Sequence, residues 1–329
     1  MNYKSVFVLC AIICLFACTS RTPQGVQFET QKIDSVSTDK LVPESFIISS
    51  KLKGLDGGLV YWDSSVGKLI VLDQNGILKK RLVNKLGEGP EEIEFFAGFD
   101  ITKDYIFVFG SKCLVYNTST LDFIGKYKLP NADINWIKEF NGALVIGGLK
   151  YEENRYAVFS SRFSPEDGFN QIHEEVTVTF PEKLDELSKV TEAEVINGNL
   201  YILKLHIGEL MKVNSSYRQV FDKPLPYRFN QKENVVTYPD GEIDIERLES
   251  WSFGAYNDKL IILRDLDMSS PDQTKAETHR NTIHLLDQEG QFLGRLRIDN
   301  KAVYISVIGN SLYAIDPVSE KYIVYEVLD

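Results

Sequence analysis

The 329-residue chain holds only 4 cysteines and 4 histidines, and its basic residues are outnumbered, 36 against 47 acidic ones, for a formal net charge of −11. No run of lysine and arginine offsets that balance. Binding to nucleic acid is dominated by neutralising phosphates, so nucleic acid is excluded as a partner class. Three of the cysteines, Cys10, Cys14 and Cys18, crowd the N-terminus, which leaves Cys113 alone in the body of the chain. An intrachain disulfide framework and a multi-cysteine zinc site both fail on that count. No two histidines stand at a tight ligand spacing, no Gly-x-Ser-x-Gly elbow occurs, and no cofactor is expected. The apolar run Val6 to Ala17 is too short for a transmembrane helix, which needs roughly 20 residues.

That short run has another use. Lys4 precedes it and Leu15-Phe16-Ala17-Cys18 closes it. A charged start, an apolar middle and a small residue before a cysteine form a signal peptide with a lipobox. The expectation is removal of residues 1–17 and lipidation of Cys18, with residues 18–25 as a polar tether and 26–329 as the folded domain. Only Lys4 is lost among charged groups, so the mature chain is one unit more negative. The lipid alone would hold it at the membrane, because an acidic surface does not adsorb to anionic lipid. Thr19 after the cysteine, and no acidic cluster beyond it, place the expected lipoprotein in the outer membrane, facing the periplasm.

The body of the chain repeats a β unit. Gly58–Asp63, Lys68–Asp73 and Ile77–Leu82 form the first copy, and Tyr105–Phe109, Cys113–Asn117 and Phe123–Leu129 the second. Ala143–Ile146 with Tyr156–Ser160 is a weaker third. Asn199–Leu203, Glu209–Asn214 and Arg218–Phe221 follow, then Lys259–Leu263, Thr282–Asp287 and Phe292–Ile298, then Ser311–Ile315 and Tyr322–Tyr325. Runs of β-branched and aromatic residues between Gly, Asn and Asp are strand signals. Asn75-Gly76 is expected as a two-residue hairpin turn with both residues at positive φ. The Asp or Asn ending the middle strand of a unit is expected to bond the backbone of its turn. One further strand precedes each unit: Phe46–Ile48, Ala97–Ile101, Ile134–Ile137, Thr191–Ile196, Trp251–Ala255 and Val303–Ile308. Six four-stranded units at this period predict an all-β, six-bladed β-propeller, rather than a β-sandwich. The last unit lacks an outer strand, and the segment Val26–Ile33 is expected to supply it and close the ring.

Leu86-Gly87-Glu88-Gly89-Pro90-Glu91-Glu92 resembles the Gly-x-Gly-Pro-Gly-Glu turn of the six-bladed β-propeller lipoproteins of gut-type Bacteroidetes, relatives of NHL-type and TolB-like propellers. Glu91 stands where that family commonly has glycine. The resemblance covers nearly the whole mature chain and implies the architecture far more than any activity. The glutamates argue against a phosphate-binding loop. Gly87 and Gly89 are expected to supply unusual φ in a structural turn that Pro90 stiffens.

Candidate ligand-binding residues are aromatic. Trp136 and Trp251 fall on strands expected to line the channel, although packing between blades is the favoured reading, since indoles are large core fillers. Tyr227, Arg228 and Phe229 sit in the long insertion Asp222–Ser250, a candidate binding lip. Asp240, Glu242, Asp244 and Glu246 alternate, which suits an acidic strand better than a calcium site, since strand spacing holds them roughly 7 Å apart. These features point to a non-catalytic binding or scaffold module for a protein partner, glycan or peptide in the cell envelope. The alternative is an enzyme, a lyase or lactonase-like hydrolase, with a metal or a His/Asp/Arg cluster in the channel. Converging titratable side chains there would favour it.

Overall fold

The computed structural model describes residues 26–28, 30–37, 52–63, 66–83, 85–130, 132–182, 184, 189–225, 235–237, 243–245, 249–266, 282–298, 304–309, 311–316 and 321–327. The expected signal peptide, Cys18 and the tether lie outside these residues, as does the expected strand Phe46–Ile48.

Six antiparallel sheets follow one another along the chain. Blade one is Lys53–Leu55, Gly58–Asp63, Lys68–Leu72 and Leu78–Leu82, in that spatial order. Blade two is Phe96–Ile101, Tyr105–Gly110, Cys113–Asn117 and Phe123–Tyr127. Blade three is Asp133–Phe140, Ala143–Lys150, Arg155–Ser164 and Gly168–Val178. Blade four is Thr191–Ile196, Asn199–Lys204, Glu209–Val213 and Gln219–Pro224. Blade five is Glu249–Tyr256, Lys259–Leu266, Thr282–Leu286 and Phe292–Arg297. Blade six takes Tyr304–Ile308, Ser311–Asp316 and Lys321–Val327 from the C-terminal end of the chain. The first strand of each blade touches the first strand of the next, and that of blade six touches that of blade one. The first strands are therefore the inner ring of a six-bladed propeller.

The ring closes through the N-terminal segment, split over two blades. Thr30–Ser37 runs antiparallel to Lys321–Val327 and completes blade six. Val26–Phe28 pairs in parallel with Gly294–Leu296 and adds a fifth strand to blade five. The closing strand thus starts later than the expected Val26–Ile33, whose first residues serve the neighbouring blade. Blade one differs from expectation too. Its inner strand is Lys53–Leu55, because Asp56 (φ 49) and Gly57 (φ 77) form a tight hairpin that returns directly into Gly58.

The core lies between the blades. Val60, Trp62, Leu69 and Val71 of blade one meet Phe99, Ile106, Val108 and Leu114 of blade two. Equivalent clusters join blades two to three, three to four, four to five and five to six. Turn chemistry repeats as well. Oδ1 of Asp73 accepts the N–H groups of Asn75 and Ile77 at 2.8 and 2.9 Å. Asn214 and Asp287 do the same at the matching turns of blades four and five, and Asn117 of blade two accepts the N–H groups of Ser119 and Thr120. Asn75-Gly76 departs from the expected two-residue turn. Only Gly76 has positive φ, and Asp73 closes a three-residue loop by bonding Ile77.

Candidate functional site

An inner strand has a sheet neighbour on one side only, so its other edge needs partners for its backbone N–H groups. Side chains of the preceding blade provide them at four successive junctions. Asp100 Oδ2 accepts Ile137 N–H at 2.9 Å, and Asn135 Oδ1 accepts Thr191 N–H at 3.3 Å. Glu192 Oε2 accepts Phe253 N–H at 2.9 Å, and Ser252 Oγ accepts Ile305 N–H at 3.1 Å.

The same strands build a charged belt. Counting two residues back from the last pair of each inner hairpin gives Lys53, Asp100, Lys138, Glu194, Gly254 and Ser306 in blades one to six. Charges alternate over the first four. Lys53 pairs with Asp100, and Lys138 lies 3.4 Å from Asp100 and 3.6 Å from Glu194. Burial is the largest single influence on Asp100 and pushes its pKa up. Lys138, Lys53 and the Ile137 N–H together outweigh it and hold the carboxyl below its usual range. Burial dominates at Lys53 and lowers its pKa, against the pull of Asp100. At Lys138 burial is opposed by Asp100 and Glu194, and the pKa is raised.

A groove of about 610 Å³ opens where the inner hairpins of blades two, three and four turn. Tyr105, Phe140 and Phe163 give it aromatic walls, and Asp104, Glu139 and Arg162 line it with charge. The aromatic wall is rigid: Phe163 packs edge-on against Tyr105 at 4.9 Å and against Tyr127 at 5.0 Å. Among the described residues no carboxylate pairs with Arg162. A second, smaller groove of about 370 Å³ lies at the other end of blades two and three, beside Phe95, Lys128 and Glu152.

The residues singled out in the sequence distribute differently. Trp136 is only 3 % exposed, and its indole N–H donates to Thr191 Oγ1 at 2.8 Å. It packs against Gly147 between blades three and four. Trp251 lies on the inner strand of blade five, paired with Arg264. Tyr227, Arg228 and Phe229 lie outside the described residues. Within their insertion, Val235–Thr237 and Ile243–Ile245 form an antiparallel hairpin that includes Asp244. Among the described residues no group of three or more His, Cys, Asp or Glu is placed to hold a metal.

Gly87, Gly89 and Pro90 sit in a turn whose glycines work otherwise than expected. Neither glycine has φ in the left-handed region. Both make room for Glu92, whose carboxylate accepts Gly89 N–H at 2.8 Å. A Cβ on Gly87 would fall 2.3 Å from Glu92 Oε2, and one on Gly89 2.8 Å from Glu92 Cδ. Lys126 then bonds the carbonyls of Glu88, Gly89 and Glu92 at 3.3, 3.1 and 2.9 Å, which clamps the turn to blade two. The groove residues escaped the sequence reading, because Tyr105 is far in the chain from Arg162 and Phe163 and none of them carries a motif.

Comparison with known proteins agrees with this geometry. A family model described as a 6-bladed beta-propeller matches residues 42–207, a little over half of the chain. No curated protein matches in sequence. A Bacteroides fragilis protein of inferred export has a similar fold, with TM-score 0.59 and 13% identity over 92% of this chain and 99% of that one. Regucalcin, a calcium-binding protein from Agrobacterium tumefaciens, gives TM-score 0.52 at 10% identity over 92% of this chain and 95% of its own. Identities this low speak for architecture and not for activity. With six blades in its ring and the family pattern across the first three and the inner half of the fourth, this chain belongs to the 6-bladed beta-propeller family.

Proposed function

We propose that the protein is a lipid-anchored binding module of the cell envelope, recognising its ligand or partner at the groove over blades two to four. The groove carries this reading: it is concave, walled by fixed aromatic rings, and holds a guanidinium with no anionic partner among the described residues. Small-molecule sites have this character and size. Cys18 is the lipid-bearing residue in this reading, and the membrane is the outer one, with the domain on its periplasmic side. The likeness to a protein of inferred export supports an envelope location. Trp251 and the insertion bearing Tyr227, Arg228 and Phe229 offer a further recognition surface, whereas Trp136 serves packing.

The test is thermal unfolding of the chain from Thr19 onward with protein, glycan and peptide candidates. A ligand at about one hundred times its Kd adds roughly 2.7 kcal/mol. The shift is expected to vanish in Arg162→Ala, and a shift that Arg162→Ala leaves intact would place binding elsewhere. Fractionation tests the anchor: Cys18→Ser should leave the membrane fraction, and a wild-type protein found soluble would refute lipidation.

A channel-centred hydrolase or lyase is the second reading. The convergence of Lys53, Asp100, Lys138 and Glu194 favours it, since a partly buried lysine with a lowered pKa beside a carboxylate can serve as base or acid. Turnover of any ester or lactone that disappears in Lys53→Met would support it.

A further inference from the structure

We infer that the groove over blades two to four takes a neutral glycan; this deepens the binding reading above and rests on it. Its polar residues are the first reason. Asp104, Glu139, Asn141 and Arg162 are all exposed and line one groove, yet no ion pair joins its carboxylates to Arg162. A sugar hydroxyl both donates and accepts, so a wall that recognises a row of hydroxyls must offer both kinds of group. Asp104 and Glu139 are acceptors, Arg162 is a pure donor, and the Asn141 side chain carries both kinds of group, its amide donating to the Ser215 carbonyl. Two carboxylates against one guanidinium leave the lining net negative, which opposes an acidic sugar or another anion.

The apolar part points the same way. Tyr105 and Phe163 are half-buried, their rings 4.9 Å apart and set edge to face. Half-buried rings that line a groove suit the C–H face of a pyranose, and tyrosine adds a hydroxyl to the lining. A peptide is the poorer fit. Extended peptides dock by pairing with a free strand edge, whereas this rim is made of hairpin tips. Gly142 and Gly198 stand at those tips with φ of +73° and +70°, where a Cβ would meet nothing within 4 Å. Blade three, the centre of the groove, lies across the ring from blade six, where the N-terminal segment enters.

The test uses the whole mature chain from Thr19. An array of neutral and uronic-acid oligosaccharides, with tetrapeptides included, would be probed first, and the best binder measured by calorimetry. We expect retention of a neutral oligosaccharide, at least tenfold weaker binding of its uronate counterpart, and a loss of roughly tenfold or more in Arg162→Ala and in Asp104→Asn. Both positions are exposed, so both variants should unfold at the wild-type temperature, which serves as the folding control. A preference for uronates or peptides that still depends on Arg162 would overturn the neutral-glycan class and keep the site. Glycan binding indifferent to both substitutions would overturn the site. An array with no retained sugar would overturn the inference altogether.

Discussion

The carboxylate of Asp100 serves three partners at once: Lys53, Lys138 and the N–H of Ile137. Breaking one side of a fully buried ion pair costs about 3–5 kcal/mol. Here the side chains of Lys53 and Lys138 keep 22% and 18% exposure, and Lys138 retains Glu194 at 3.6 Å. The cost of Asp100→Asn, which keeps an acceptor for Ile137, should therefore sit lower, at about 2–3 kcal/mol. Asp100→Ala also orphans the Ile137 N–H and should cost roughly 1–2 kcal/mol more. Urea unfolding followed by tryptophan fluorescence would show a lower midpoint with an unchanged slope. Acid dependence gives an independent reading. The folded pKa of Asp100 is depressed, so its contribution is complete above the unfolded value of about 3.9 and is lost as pH falls through the folded value. The acid limb of the stability curve should be shallower in Asp100→Asn. An Asn variant within about 0.5 kcal/mol of wild type, or an Ala variant no worse than Asn, would refute a structural role for the belt.

Other consequences are as direct. Gly147→Ala would put a methyl 2.1 Å from Trp136 Cε2, where the indole is pinned by Thr191; overpacking of this kind costs about 1–3 kcal/mol, and neutral stability in urea would contradict the packing. Cys113 is fully buried, and burial raises its thiol pKa. In the chain from Thr19 it should resist a thiol reagent at pH 8 until urea unfolds the protein, so rapid native labelling would disprove its burial. Deleting residues 26–37 bares the edge of Lys321–Val327. That variant should aggregate or lose its cooperative transition, and unaltered unfolding would show that the N-terminal strands do not close the ring.

The strand repeat was legible because each blade writes its own alternation of apolar runs and turn residues, and Asp73, Asn117, Asn214 and Asp287 mark equivalent turns in the chain as they do in space. The outer strand of blade three, Gly168–Val178, was not legible: its exposed middle, Gln171 to Glu174, lacks the apolar signature of a strand. The inner strand of blade one escaped for the opposite reason. Phe46–Ile48 looks more like a strand than Lys-Gly-Leu, but the hairpin at Asp56-Gly57 fixes the register. At Gly87 and Gly89 the residue type was informative and the reason was not, because the carboxylate that needs the space sits at Glu92.

By itself the sequence determined the number of blades, the turn chemistry and the apolar surfaces that pack between blades, since these depend on residues near one another in the chain. It also set the lone body cysteine and the acidic charge that exclude whole classes of chemistry. Only the tertiary structure decided which residues face one another across the ring. Lys53, Asp100, Lys138 and Glu194 come from four blades and share a level because four hairpins share a register. Asp104 and Tyr105 of blade two meet Glu139, Arg162 and Phe163 because blade three packs beside blade two. Such neighbours are set by the closing of the ring, and no local pattern encodes them.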